Sequence, residues 1–227
     1  MSKIVFGTDG WRGVISKDFT FDNVKKVAQA IADYYKGLQS QQPARIQIAV
    51  GYDTRFLSDK YAELLAEVLS GNSISVILSD RPIPTPMLSF TVRNRKLTAG
   101  VMVTASHNPK EYNGIKIKTS TGAAAGLEVT RQIEKLANEV SLVRELQIKD
   151  KIKDERLDRD YIRFIRSYID LKKIKTVKLK VLVDVMHGSG NRFIAEILKD
   201  AKIKFEFVRA EINPSFGGKH PEPIEEN

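Results

Sequence analysis

Two hydrophobic periods alternate along this chain, and the switches between them mark out its elements. From Thr20 the apolar positions fall three and four apart. Val24, Val27, Ala28, Ile31 and Ala32 line one face and Lys25 and Lys26 another, which predicts an amphipathic helix with Gly37 as its stop. Residues 39–43 read as a loop. The period then shortens to two over 46–50, a strand running into the polar sequence GYDTR at 51–55. Ser58 stands where an N-cap belongs, before a helix carrying Tyr61, Leu64, Leu65 and Val68 and ending at Gly71. Residues 74–78 form the next strand. The prolines of 82–86 break the chain, with Thr85 as N-cap and Pro86 at the first position of a helix reaching about Arg95. A third apolar run, 99–103, reads as a buried strand that ends in the polar turn TASHNP (104–109). Tyr112, Asn113 and Gly114 suggest a second tight turn before an alternating strand over 115–118.

The rest of the chain continues this rhythm. Residues 127–140 predict a helix with Leu127, Ile133, Leu136 and Ala137 inward. Residues 149–155 are charged and nearly free of apolar side chains, and the domain boundary is set there, giving units 1–148 and 149–227. Tyr161, Ile162, Phe164, Ile165, Tyr168 and Ile169 mark a helix beyond it. A strand over 180–184 enters the glycine turn MHGSGN (186–191), which opens a helix over 192–199, and 203–208 is one more strand. Alternating strands and helices of this kind predict an α/β protein with a mainly parallel sheet.

Composition narrows the class. Hydrophobic content of 42% and charged content of 29% over 227 residues belong to a globular protein with room for one large or two modest cores. No apolar run spans a bilayer, and Met1-Ser2-Lys3-Ile4-Val5 has no signal-peptide core, so no membrane partner is expected. The chain has no cysteine, which fits a reducing, cytoplasmic setting. The net charge of +9 comes largely from lysines between Lys149 and Lys204 that are interleaved with acids. That pattern reads as solvated faces. With no helix-turn-helix, zinc finger or aromatic RNA-binding motif beside it, no nucleic-acid partner is expected.

Chemistry concentrates at strand ends, where open α/β sheets bind ligands. Ser106 lies in the middle of TASHNP with His107 beside it and Asn108-Pro109 preventing regular continuation. Residue by residue, this is an Asn-Pro turn whose polar side chains bond their own backbone. A Ser-His-Asp hydrolase fits poorly, because adjacent Ser and His side chains rarely meet and there is no G-x-S-x-G elbow. Arg12 in FGTDGWRG (6–13) and Arg55 in GYDTR offer planar forks of donors suited to phosphate, although each is by default a loop cation. The MHGSGN turn reads first as a strand-to-helix connection and second as an anion site.

As a string, TASHNP with NGIKI behind it resembles the phosphoserine loop of the α-D-phosphohexomutases, the phosphoglucomutase and phosphomannomutase family. FGTDGWRG is similar to that family's N-terminal signature, GYDTR to its second phosphate-side loop, and HGSG to the start of its second domain. Residues 216–227 are similar to the segment before its metal loop.

The resemblance implies a three-layer α/β/α domain over 1–148 with a mainly parallel mixed sheet. It also implies part of a second, similar domain over 149–227, truncated before the metal-binding loop. It implies an isomerase of carbohydrate metabolism that interconverts hexose 1-phosphate and hexose 6-phosphate through a phosphoserine and a hexose 1,6-bisphosphate. Ser106 would carry the phosphate, with Lys116 as proton-transfer partner for the sugar hydroxyl. Arg12 would steady the moving phosphoryl group or assist proton transfer, His107 would stand with these catalytic residues and order the loop, and Thr104, Asn108 and Arg55 would bind phosphate or order the loop. Mg²⁺ would sit on Ser106 through its phosphate, its other ligands lying outside this sequence, so that the 227 residues alone are expected to be inactive. The alternative is a non-catalytic module that binds an anion or sugar phosphate. It would share these loops and lack the metal site.

Overall fold

The computed structural model describes residues 3–39, 45–144 and 148–225. Seven strands form the main sheet: β1 (Phe6–Gly7), β2 (Gly10–Val14), β3 (Gln47–Tyr52), β4 (Ser75–Ser79), β5 (Ala99–Val103), β6 (Tyr112–Thr119) and β7 (Ile152–Glu155). Their order is β1-β2-β6-β5-β3-β4-β7. The four strands β5, β3, β4 and β7 run parallel, while β6, β2 and β1 are each antiparallel to their neighbour.

Helices α1 (Phe21–Gln39), α2 (Ser58–Gly71) and α4 (Leu127–Glu139) cover one face of this sheet, and α3 (Thr85–Asn94) covers the other. The central strand β5 is therefore buried on both faces. Val101 and Val103 join the core under α1 and α2, and Met102 joins the core under α3. Helices on both faces explain why this strand is a continuous apolar run. The result is the expected three-layer α/β/α arrangement with a mixed, mainly parallel sheet.

The predicted α1 face is buried in full: Val24, Val27, Ala28, Ile31 and Ala32 have no solvent exposure. Thr20 caps this helix by accepting the Asn23 N–H at 3.2 Å. The helix runs past Gly37, and the loop expected over 39–43 lies, beyond Gln39, outside the described residues.

Several expectations change. Leu127 is 51% exposed, because it opens the first turn of α4 ahead of the packed positions Ile133 and Ala137. Tyr112, Asn113 and Gly114 begin β6 and form no turn; pairing with Val14, Gly13 and Arg12 of β2 extends the strand. Residues 6–14 are a hairpin added to the sheet edge, with Trp11 stacked on Phe19 at 4.7 Å. The charged stretch 149–155 contains β7, which pairs with β4, so the first sheet extends into it. Exposed Lys153 and Asp154 suit an edge strand that has to resist further pairing.

Beyond β7 follow α5 (Asp158–Tyr168), α6 (Leu171–Lys175), β8 (Lys180–Asp184), α7 (Asn191–Asp200) and β9 (Lys204–Val208). The strands β8 and β9 form a separate parallel pair. Ile162 of α5 and Phe193 of α7 belong to the same apolar cluster as Met87, Leu88 and Val92 of α3, which ties this second unit to the first.

Candidate active site

The carboxyl ends of β3, β5 and β8 converge on a cavity of about 350 Å³, lined by Asp53, Thr104, Ser106, Asp184, Met186 and Ser189 among others. This is where strand-end loops of open sheets gather. A neighbouring cavity of about 400 Å³, between Arg81-Pro82 and the start of α7, shares Thr54, Gly188 and Ser189 but does not reach Ser106.

Ser106 has a left-handed backbone, φ 61°. A side chain pays for that conformation in local strain, so the surroundings have to impose it. The restraint comes from below. Arg55 is 3% exposed, and its guanidinium donates to four backbone carbonyls of the loop and the start of β6. Nη2 reaches Ser106 O at 2.9 Å and Asn108 O at 2.6 Å; Nη1 reaches Pro109 O at 2.9 Å and Tyr112 O at 3.1 Å. The fifth donor, Nε, lies 3.4 Å from Asp53 Oδ2, an ion pair without hydrogen-bond geometry. Thr104 completes the loop's floor, its Oγ1 accepting the Ser106 N–H at 3.0 Å and donating to Asp53 Oδ2 at 2.6 Å.

Asp53 is the acceptor that keeps this cation buried. Besides Arg55 and Thr104 it takes the Arg55 N–H at 3.0 Å and the Ser58 hydroxyl at 2.8 Å. Burial pushes the Asp53 carboxyl above its ordinary pKa, against the pull of the Arg55 charge and the hydroxyl donors. Burial also lowers the Arg55 pKa, opposed by Asp53. Ser58 therefore does not cap α2 as expected. Its hydroxyl turns inward to Asp53 and accepts Asn113 Nδ2 at 2.9 Å. Asp53, Ser58 and Asn113 carry no signal of this network in the sequence beyond lying inside or beside the quoted loops.

The Ser106 side chain, in contrast, is exposed, with only His107 Nδ1 at 3.4 Å from Oγ. Arg12 reaches the loop from β2 and donates from Nη1 to Asn108 Oδ1 at 2.7 Å. Gly114 makes that approach possible. A Cβ there would lie 2.6 Å from Trp11 O, 2.8 Å from Thr104 O and 3.0 Å from Arg12 Cγ.

Lys116 is on the same strand face as Gly114, while Ile115 and Ile117 point into the core on the other. It is 8% exposed and donates from Nζ to Asp9 Oδ2 at 2.5 Å. Lys118, next along this face, is also buried, and burial together with Lys116 lowers its pKa. The structure thus brings Thr104, Ser106, His107, Asn108, Arg12 and Arg55 into one contact network. Lys116 is held by Asp9 and bonds none of them. Among the described residues no three His, Asp or Glu side chains converge as a metal set, so the groups present do not by themselves form a magnesium site.

Residues 3–144 match the family model described as phosphoglucomutase/phosphomannomutase, alpha/beta/alpha domain I, and residues 159–227 match alpha/beta/alpha domain II of the same family. Over 230 residues the chain is 34% identical to the phosphoglucomutase of Staphylococcus aureus (strain MRSA252), covering 94% of this chain and 40% of that protein. It superposes with TM-score 0.90 and 35% identity on a Thermus thermophilus protein assigned as a phosphomannomutase, covering 99% of this chain and 50% of that one. An Aspergillus fumigatus N-acetylphosphoglucosamine mutase, solved with GlcNAc-6P and magnesium, shares the fold at TM-score 0.50 and 17% identity, over 98% and 46% of the two chains. The chain spans between 40% and 50% of the length of these relatives.

Replacing Arg55 by Met should remove four carbonyl partners and leave Asp53 buried without its counter-charge. A loss of about 3–5 kcal/mol is expected, the cost of breaking a buried pair. Urea unfolding of the chain measures it; a loss below about 1 kcal/mol, the range of an exposed pair, would refute the buried-clamp description.

Proposed function

The chain belongs to the phosphoglucomutase/phosphomannomutase family, and from that premise we propose that it carries the phosphoryl-transfer serine of a phosphohexomutase. The substrate class is a hexose monophosphate, and the intermediate a hexose 1,6-bisphosphate. The observation that carries this reading is the contrast at Ser106, whose carbonyl is clamped from below while its hydroxyl is exposed in the cavity. A covalent phosphate carrier needs that combination, because in-line transfer depends on position more than on covalent assistance from the protein.

In the proposed first step the bond between Ser106 Oγ and phosphorus breaks as a sugar hydroxyl oxygen bonds to the phosphorus. The serine oxygen takes up a proton, and the sugar hydroxyl gives one up. Lys116, paired with Asp9, is the residue we assign to the sugar proton. The reverse step, from the other phosphate of the bisphosphate, restores the phosphoserine. A phosphoserine brings roughly −1.5 to −2 charges. Arg12, which reaches the loop at Asn108, is the cation we assign to steady the group in transit. His107 and Asn108 complete the loop around it. Magnesium, which the Aspergillus relative was solved with, belongs to the proposal for the whole protein. When bound it would offset phosphate charge, and among the described residues only the Ser106 phosphate is assigned to it. The complete mutase cycle is likewise proposed for the whole protein and not for these residues alone. A cytoplasmic setting goes with phosphorylated sugar substrates; among the described residues no helix is long and apolar enough to cross a membrane.

In the whole protein, incubation with hexose 1,6-bisphosphate followed by phosphopeptide mapping should find the phosphate on Ser106 and nowhere else. Phosphate on another residue, or retained in Ser106→Ala, would overturn the assignment. Lys116→Met removes the amine and keeps the stem. In the whole protein it should slow phosphoryl transfer by roughly 10²-fold or more, the range of general acid–base catalysis. An unchanged rate with lowered stability alone would assign Lys116 to the fold.

A further inference from the structure

Arg55 holds the Ser106 loop with the edge of its guanidinium: the four Nη donors go to four carbonyls, and Nε faces Asp53 as an ion pair. A planar cation has faces as well. The Phe216 ring, from the second unit, lies against one of them, with the guanidinium carbon 5.1 Å from its centroid. Phe216 is 5% exposed and, like Ser106, has a left-handed backbone, φ 52°. The turn that carries it is tied down at both ends: Phe216 N–H donates to Asn213 O at 2.8 Å and Lys219 N–H to Phe216 O at 3.2 Å.

This turn is also seated on His187. A Cβ on Gly217 would approach His187 Nε2 to 3.1 Å, so the glycine permits close packing. His187 is buried, its N–H donating to Arg209 O at 2.8 Å and its Nδ1 lying 3.0 Å from Glu211 O. Its carbonyl then accepts the Thr54 hydroxyl at 2.9 Å. Two contacts from the second unit therefore meet the loop after β3 at adjacent residues, a hydrogen bond at Thr54 and an aromatic face at Arg55.

We propose that Phe216 is a positioning residue for the Ser106 loop, acting through the Arg55 guanidinium. The carbonyl bonds engage only the edge of the guanidinium and offer its faces no partner. A ring on one face supplies that partner, excludes water from the cation and adds cation–π attraction. The second unit in this way stabilises the backbone that presents Ser106. The importance of that effect for phosphoryl transfer rests on the function proposed above; the contact and its effect on the loop do not.

Amide hydrogen exchange across 104–112, measured on the whole chain, tests it. Phe216→Leu keeps apolar bulk and loses the π face. It should raise exchange in this segment roughly tenfold, on the scale of a desolvated cation–π contact, with α1 and β3 unchanged. Phe216→Tyr should restore protection. Unchanged exchange in Phe216→Leu, or equal loosening in Phe216→Tyr, would overturn the proposal. If Phe216→Leu does not fold, proton NMR of the unmodified chain decides. Arg55 guanidinium resonances shifted by the ring current support the contact, and unshifted ones contradict it. Failure of Ser106 to take phosphate would remove the functional reading and leave this exchange result standing.

Discussion

A buried guanidinium needs partners for its donors and its charge, and that need shapes the site. Removing Arg55 from water is costly unless each donor and the charge are matched. The matches come from the carbonyls of Ser106, Asn108, Pro109 and Tyr112 and from the Asp53 carboxylate. None of the four carbonyls can move without leaving a donor unpaired, so the loop after β5 is set by the loop after β3. The left-handed Ser106 is one consequence. Its strain is sustained because the surrounding bonds over-determine it.

The sheet explains how such a network assembles. Parallel neighbours β3 and β5 release their loops at the same end, where Asp53 N–H donates to Val103 O at 3.1 Å. Antiparallel β6 returns along β5 and brings Gly114 and Lys116 back beneath the loop. The β1–β2 hairpin then adds Arg12 and Asp9 from the far side, and α4 fastens the chain entering it. Phe6 N–H donates to Glu134 Oε2 at 2.6 Å and Ile4 N–H to Asn138 Oδ1 at 3.1 Å. Arg12, Arg55 and Ser106 thus meet in one network, and strand pairing sets the Lys116–Asp9 pair on the same part of the sheet.

What could be read from the sequence follows the range of the forces involved. The helices α1 and α2 and the strands β3, β4 and β5 were legible because burial imposes a local period on them. Ser106, Arg12, Arg55 and Asn108 were legible as candidates because their loops resemble a known family. The hairpin strand β2 was not, since Gly10 and Gly13 have poor strand propensity and pairing with β1 and β6 makes this stretch extended. β7 was hidden by the charges that protect an edge. The partners were hidden as well. Nothing near Lys116 points to Asp9, 107 residues earlier. Nothing in GYDTR announces that Arg55 turns inward to carbonyls, or that Phe216 covers its face. Those contacts are tertiary, and a local pattern does not encode them.

Arg55, on this view, belongs to the framework of the loop and stays there whatever Ser106 carries. Crystal structures of the chain with Ser106 unmodified and phosphorylated test it most directly. The account predicts that all four guanidinium–carbonyl bonds persist in both and that residues 104–109 keep the same backbone, with Arg12 the cation that responds to the phosphate. An Arg55 side chain that leaves those carbonyls to bind the phosphate would contradict it.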